Sequence, residues 1–301
     1  MTQTKIRTSP EERGLQVVNT ILVTLFMLIC VYPFYYVIIC SFSSPDAISQ
    51  GVYFLPVDFT LSTYQKILER GDIFRAFYIS CLRTVLGTAL CVFASSLFAF
   101  LVTKQEMFGR KFIYRLVITT MYLNAGLIPW YITLKAYGFK NNFLVYIIPG
   151  AVNAFYIILV KTYFEQLPAS LEESAELDGA GFFTIFTKII LPLSKPIIAT
   201  VAVYCAVGQW NCWMDNYFFV TDSKLQTMQL ILYNYLTQAE QLANSMRNSL
   251  SGGNVAAIQN AISPQSVQMT VTVMTIVPIL CVYPSLQKYF AKGIMLGAVK
   301  G

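Results

Sequence analysis

The side chains able to do chemistry in this sequence are few, and most sit in apolar surroundings. There is no histidine, which removes the commonest general base, metal ligand and near-neutral proton switch. The seven cysteines (Cys30, Cys40, Cys81, Cys91, Cys205, Cys212 and Cys281) fall in or beside apolar stretches with no Cys-x-x-Cys spacing. They read as small buried hydrophobes. No Gly-x-x-x-x-Gly-Lys loop is present to cradle a phosphate, so ATP chemistry must come from another chain. No metal site and no catalytic residue is expected. What remains is stacking and hydrogen bonding. The run from Gly208 to Tyr217 holds Gln209, Trp210, Asn211, Trp213, Asp215 and Asn216. Aromatic faces beside amides are what a sugar needs, since pyranose rings stack on tryptophan or tyrosine while hydroxyls take hydrogen bonds. The same residues also fit an interfacial aromatic belt with polar neighbours.

Arg83 and Asp215 are charges set in apolar segments. Each either snorkels to an interface or pairs with the other across a bundle, because charge at membrane depth is costly. Asn124-Ala125-Gly126 before Pro129-Trp130, and Pro149-Gly150 before Asn153, predict interrupted helices. Freed backbone groups at such depth need protein or a cavity beside them. Arg83, Asn124, Trp130, Asn153, Gln209, Trp210, Asn211 and Asp215 are therefore the candidates for lining a solute path.

The elements that must position these residues are membrane helices. Of 301 residues, 56% are hydrophobic and 12% charged, whereas an ordinary soluble domain carries roughly a quarter charged residues. Uncharged windows near the length a helix needs to cross the hydrocarbon layer predict six spans, at about 15–41, 76–103, 113–135, 143–163, 196–219 and 267–288. The first is too long for a signal-peptide core and lacks a small-x-small cleavage site, so it reads as uncleaved. Residues 1–14 form a polar tail, and 15–301 read as one transmembrane domain without internal repeats. With the N-terminus inside and Arg83 left out as lying within a span, 13 lysines and arginines fall on the cytosolic side against 7 outside, as the positive-inside rule expects. The net charge of +6 thus reads as topology rather than nucleic-acid affinity. Both termini and the loop at 164–195 are then cytosolic, and the loops at 42–75 and 222–266 are outside. The 42–75 loop has turn-forming residues rather than one regular element. In 222–266, Leu225, Met228, Leu232, Tyr235, Leu236 and Leu242 recur at helical spacing until Ser251-Gly252-Gly253-Asn254, and a shorter helix is expected before Pro264. The loop is either a lid over the bundle or a docking surface.

One stretch owes its composition to something other than the bilayer. In PASLEESAELDGAGFFTIFTKIILPLSKP, Pro168 to Pro196, the Ser170/Glu173 spacing of a capping box predicts a helix starting near Ser170. Glu172 and Glu173 would meet the positive end of its dipole, and Gly179 would end it. Leu171, Ser174, Ala175 and Asp178 then share a face of mostly small residues that another surface can approach.

These residues resemble a known family. Glu173 to Ala180, followed by Ile189-Ile190-Leu191-Pro192-Leu193 and Pro196, are similar to the EAA signature of permease subunits of bacterial binding-protein-dependent ABC importers, with Ser174 where alanine is commonest. Tyr32-Pro33-Phe34-Tyr35-Tyr36, Gly126 to Trp130, Lys140 to Phe143 and Gly208 to Asn211 look like the carbohydrate-uptake members of the maltose-permease-like family, in the aldouronate and LplC-like group. The resemblance implies a type I importer permease fold, all helical with six transmembrane helices, in a bacterial cell membrane. It implies an ATPase-coupling helix drawing on Ser170, Glu172, Glu173, Ser174, Ala175, Leu177, Asp178, Gly179, Leu191 and Pro192. It further implies a second homologous permease, two ATPase subunits that use ATP and Mg, an extracytoplasmic solute-binding protein and an oligosaccharide substrate. This chain itself would bind no cofactor and make or break no covalent bond. In maltose-type relatives the loop corresponding to 222–266 contacts the solute-binding protein, which favours docking. An ABC permease for a non-sugar solute is an alternative. So is an ion-gradient-driven secondary transporter, which should show inverted repeats and mid-membrane acids; neither is evident. An intramembrane enzyme would lack a plausible acid and base.

Overall fold

A computed structural model describes residues 10–69, 71–123, 125–250 and 265–281. Asn124, the predicted break at 251–254, the helix expected before Pro264 and the last part of the predicted 267–288 span lie outside the described residues. The described regular structure is helical. It groups into two compact units, one drawn from Met1–Ile67 and Tyr235–Met274, the other from Leu68–Asn234 and Thr275–Gly301.

In the first unit, α1 (Pro10–Ser41) includes residues 10–14 of the stretch expected to be tail. From Leu15 to Ile29 its apolar side chains are exposed on all faces, which in a stable helix requires lipid or another subunit around it. Burial begins at Ile39 and Cys40, which pack with Ala47, Ile48 and Val52. Ser44 caps α2 (Pro45–Gln50), its hydroxyl accepting from the Ala47 N–H at 3.2 Å. The chain then returns extended along α1: the Ser43 hydroxyl donates to the Ile39 carbonyl and accepts from the Val57 N–H, and Tyr64, in α3 (Ser62–Glu69), donates to Ser41 Oγ.

The second unit is built around α4 (Asp72–Thr103), an uninterrupted 32-residue helix. Gly87, Cys91, Ser95, Ser96 and Ala99 are buried along it, and small residues let neighbouring helices approach closely. Those neighbours are α7 (Ala154–Phe164) and α10 (Lys195–Asn211). The stretch expected at 113–135 is two helices, α5 (Arg110–Tyr122) and α6 (Leu127–Ala136), broken where Gly126 takes φ +84°. The next begins as a single turn of 3₁₀ helix, Phe143–Tyr146, and resumes only at α7, with Asn153 accepting from the Phe155 and Tyr156 N–H groups as its cap. After α8 (Ser170–Leu177), α9 (Phe182–Leu193) meets α10 at an 84° bend. Pro192 has no N–H to give the Lys188 carbonyl, and the helix answers by widening into a π turn over Phe186–Ile190, closed by Leu191 N–H on the Phe186 carbonyl. A last break, Cys212–Trp213, separates α10 from α11 (Met214–Phe219).

Two further helices are α12 (Met228–Leu250) and α13 (Gln265–Cys281). At the start of α12 the buried apolar residues are Met228, Leu230 and Ile231, while Leu232, Tyr235 and Leu236 of the expected stripe are only half-buried. Gly14–Ser41 and Asp72–Thr103 are each long and apolar enough to cross a membrane, and the α9–α10 pair makes a third if it acts as one bent span. Ala154–Phe164 and Gln265–Cys281 are shorter apolar helices.

Candidate functional site

Two places in the second unit carry groups whose arrangement exceeds what packing alone needs. The first is α8. It starts at Ser170, as its sequence predicts, but the capping box does not form. Ala169 is already helical, at φ −59° and ψ −29°, so Ser170 lies inside the first turn. The Glu173 N–H that its hydroxyl would have capped is taken by the Ala169 carbonyl at 3.1 Å. The far end closes as expected: Gly179 at φ +81° lets its N–H reach the Glu176 carbonyl at 3.0 Å and the Ala180 N–H reach Ala175 at 2.9 Å, the paired bonds of a Schellman motif.

The expected small-residue face divides. Ala175 is 9% exposed and belongs to the core formed with Ala99, Phe100, Ile157, Phe186 and Val201. It holds α8 down onto that core. Leu191 likewise packs half-buried against that core, while Pro192 is exposed. Outward stand Ser170, Leu171, Glu173, Ser174, Asp178 and Leu177, the last 89% exposed. Phe182 and Phe183 continue this surface. Glu172 turns sideways to pair with Lys104, at the end of α4. Lys104 is 8% exposed, and its ammonium sits 4.6 Å above the Phe100 ring and 5.9 Å above that of Phe182.

The second place is the α10–α11 break. Arg83, 2% exposed, projects from α4 and satisfies this break from outside. Its Nη1 donates to the Cys212 carbonyl at 2.9 Å and to Asp215 Oδ1 at 3.0 Å, its Nη2 to Asp215 Oδ2 at 2.6 Å, and its Nε to Gln209 Oε1 at 3.0 Å. The guanidinium carbon lies 4.8 Å from the centre of the Tyr146 ring. A planar fork bidentate to a carboxylate is the geometry arginine offers and lysine does not. Here the same fork also binds a carbonyl released by the helix break. Of the two readings for Arg83 and Asp215, the structure has the pair. Next to it, Asn216 Oδ1 accepts from both the Thr227 N–H and hydroxyl, and Ser80 Oγ accepts from the Met228 N–H. The segment after α11 is thereby fixed to α4.

The other predicted path residues separate. Gln209 and Trp210 are buried: Trp210 Nε1 donates to the Thr275 carbonyl at 3.3 Å, and its ring meets Phe77 edge-on. Asn211 is exposed and accepts from Gln229 at 3.2 Å. Trp213 stacks on Tyr233 at 4.2 Å, with Tyr217 edge-on to both. Trp130 packs edge-on against Phe219 and lines an open groove with Gly126, Pro129, Thr133 and Met214. Asn153 serves as the cap of α7.

Sequence reasoning missed Lys104, Tyr146 and Gly87 as site residues. Gly87 had a usable signal, since it lies four residues from Arg83 and hence on the same helical face. A Cβ there would stand 2.7 Å from Gln209 Cδ and Nε2. Gly87→Ala should therefore push Gln209 off Arg83 and lower stability by roughly 1–3 kcal/mol, as overpacking does; a thermal melt in detergent measures it.

Comparison with known proteins places these features. Residues 82–296 match the family described as "binding-protein-dependent transport system inner membrane component". The chain is 37% identical over 278 residues to the polygalacturonan/rhamnogalacturonan transport system permease protein YtcP of Bacillus subtilis (strain 168), covering 92% of this chain and 95% of that one. It is 37% identical over 275 residues to protein LplC of the same organism, covering 91% and 90%. Among solved structures, a chain from the crystal structure of a bacterial ABC transporter involved in the import of the acidic polysaccharide alginate superposes with a TM-score of 0.82 at 31% identity, over 95% of this chain and 100% of that one.

Proposed function

This chain belongs to the binding-protein-dependent transport system inner membrane component family, and from that premise we propose that it is the membrane subunit of an ATP-driven importer of oligosaccharides. The solute class is supported by relatives that carry polygalacturonan/rhamnogalacturonan and alginate in their descriptions. In this reading the chain pairs with a second, homologous permease, two ATPase subunits and an extracytoplasmic solute-binding protein. It crosses the cell membrane six times with both termini cytosolic. It binds no cofactor of its own, ATP and Mg being used by the ATPases.

The observation that carries the coupling part is α8, anchored underneath by Ala175 yet presenting Leu177 at 89% exposure among acids and small side chains. An apolar side chain so exposed at the tip of a short, well-closed helix is suited to a cleft on another protein. ATP binding then closes the ATPase dimer and displaces α8. The bundle has two arrangements, and what binds at each end biases their populations. The solute path runs by the α6 and α10–α11 breaks, where Trp130 and Asn211 present a ring and an amide.

The test uses the four kinds of subunit reconstituted in proteoliposomes, with Leu177→Cys carrying a short photo-crosslinker. The expected result is a covalent adduct to the ATPase subunit, together with ATP-dependent uptake of tritium-labelled oligogalacturonides. No adduct in any nucleotide state would sink the coupling assignment.

A further inference from the structure

Two buried cations of the second unit, Arg83 within α4 and Lys104 immediately after its last residue, are both engaged. Arg83 and Lys104 are separated by 21 positions, with no charged residue between them. In an α-helix that is about 31 Å along the axis. At one end Lys104 pairs with Glu172 of α8, its ammonium held over Phe100 and Phe182. At the other, Arg83 grips both sides of the α10–α11 break: Gln209 before it, the Cys212 carbonyl within it and Asp215 after it. Between these anchors α4 contains no proline.

The covalent route from α8 to the same break is different in kind. It passes Gly179 in the left-handed conformation, a π turn at Phe186–Ile190 and the 84° bend at Ser194. Each of these is a joint that can absorb a small displacement, whereas a continuous hydrogen-bonded helix transmits it. We infer that the Arg83–Thr103 part of α4 is the rod that carries displacement of α8 to the α10–α11 break, with Lys104 and Arg83 as the positioning residues that fasten it at two points. The inference rests on the reading that α8 receives the ATPase stroke, and adds the route by which the stroke leaves it. It requires Lys104 and Glu172 to stay together throughout the cycle.

The reconstituted transporter tests this. Lys104→Met and, more conservatively, Glu172→Gln should keep the Leu177 adduct and ATP hydrolysis while uptake of labelled oligogalacturonides falls roughly tenfold, within the range that coupling free energies span. The decisive arm is a lock: in a background lacking the native cysteines, K104C/E172C is bridged with a short bis-methanethiosulfonate. A rod fastened at that point keeps transporting when bridged, and uptake drops when reduction opens the bridge. If the bridge instead stops uptake, α8 and α4 must part during the cycle and the rod is wrong. The rod is equally overturned if Lys104→Met and Glu172→Gln transport at the unsubstituted rate with the Leu177 adduct intact. Absence of the adduct in the unsubstituted transporter counts against the coupling reading itself, which separates the two failures.

Discussion

Asp215→Asn should lower the stability of the chain by about 3–5 kcal/mol, the effect of removing one member of a buried ion pair. The magnitude follows from what is left behind. Arg83 is 2% exposed, so water cannot take the place of a lost partner. Without the carboxylate its remaining partners are the Cys212 carbonyl, the Gln209 amide, the Tyr146 ring and the introduced amide, none of which is a counter-charge. Arg83→Met should cost a similar amount for the mirror reason and would also orphan the Cys212 carbonyl. The double variant Arg83→Met/Asp215→Leu separates charge from fold, since replacing a buried pair by apolar residues of similar volume is often close to neutral. It should recover much of the lost melting temperature in detergent. It should not recover uptake if the grip on the helix break serves transport. Equal losses in the single and double variants would show that the pair's charge is irrelevant to stability.

The second large effect is expected at Gly179, where the backbone and not the available space sets the outcome. A Cβ there would meet nothing within 4 Å, yet φ is +81°, a conformation that is a genuine outlier for a β-branched residue. Gly179→Val should open the Schellman closure and misdirect α8, so that the chain still inserts but uptake falls to background and ATPase recruitment weakens. Glu173→Lys, which sets a cation at the positive end of the same helix, should act in the same direction. Gly179→Asn is the control, because asparagine tolerates the left-handed conformation, and it should retain far more uptake than valine. Equal uptake by the valine and asparagine variants would show that the closure of α8 has no role.

Much of this was legible in the sequence because the bilayer and the peptide bond impose short-range rules. Long uncharged windows became the helices Pro10–Ser41 and Asp72–Thr103, since a buried backbone must satisfy itself and a helix does so within one segment. Asn124-Ala125-Gly126 and Pro149-Gly150 marked breaks, because glycine and proline act on their own residues and immediate neighbours. The start of α8 at Ser170 and its end at Gly179 were readable for the same reason. Its capping box was not, because whether Ser170 or its predecessor leads the helix depends on the angle at which the chain arrives from Pro168. Ala175 shows a further limit: spacing puts it on a face with Leu171 and Asp178, but only the core beneath decides which edge of that face turns in.

What the sequence determined by itself was therefore the set of apolar helices, the places where they break, and the acidic, glycine-closed helix α8. What only the tertiary structure decided was which polar group answers which break: Arg83 with Cys212 and Asp215, 129 and 132 residues away, and Lys104 with Glu172, 68 residues away. The physical reason is that hydrophobic periodicity and turn chemistry act over a few residues of chain. The partner of a buried charge is chosen instead by which helices pack side by side.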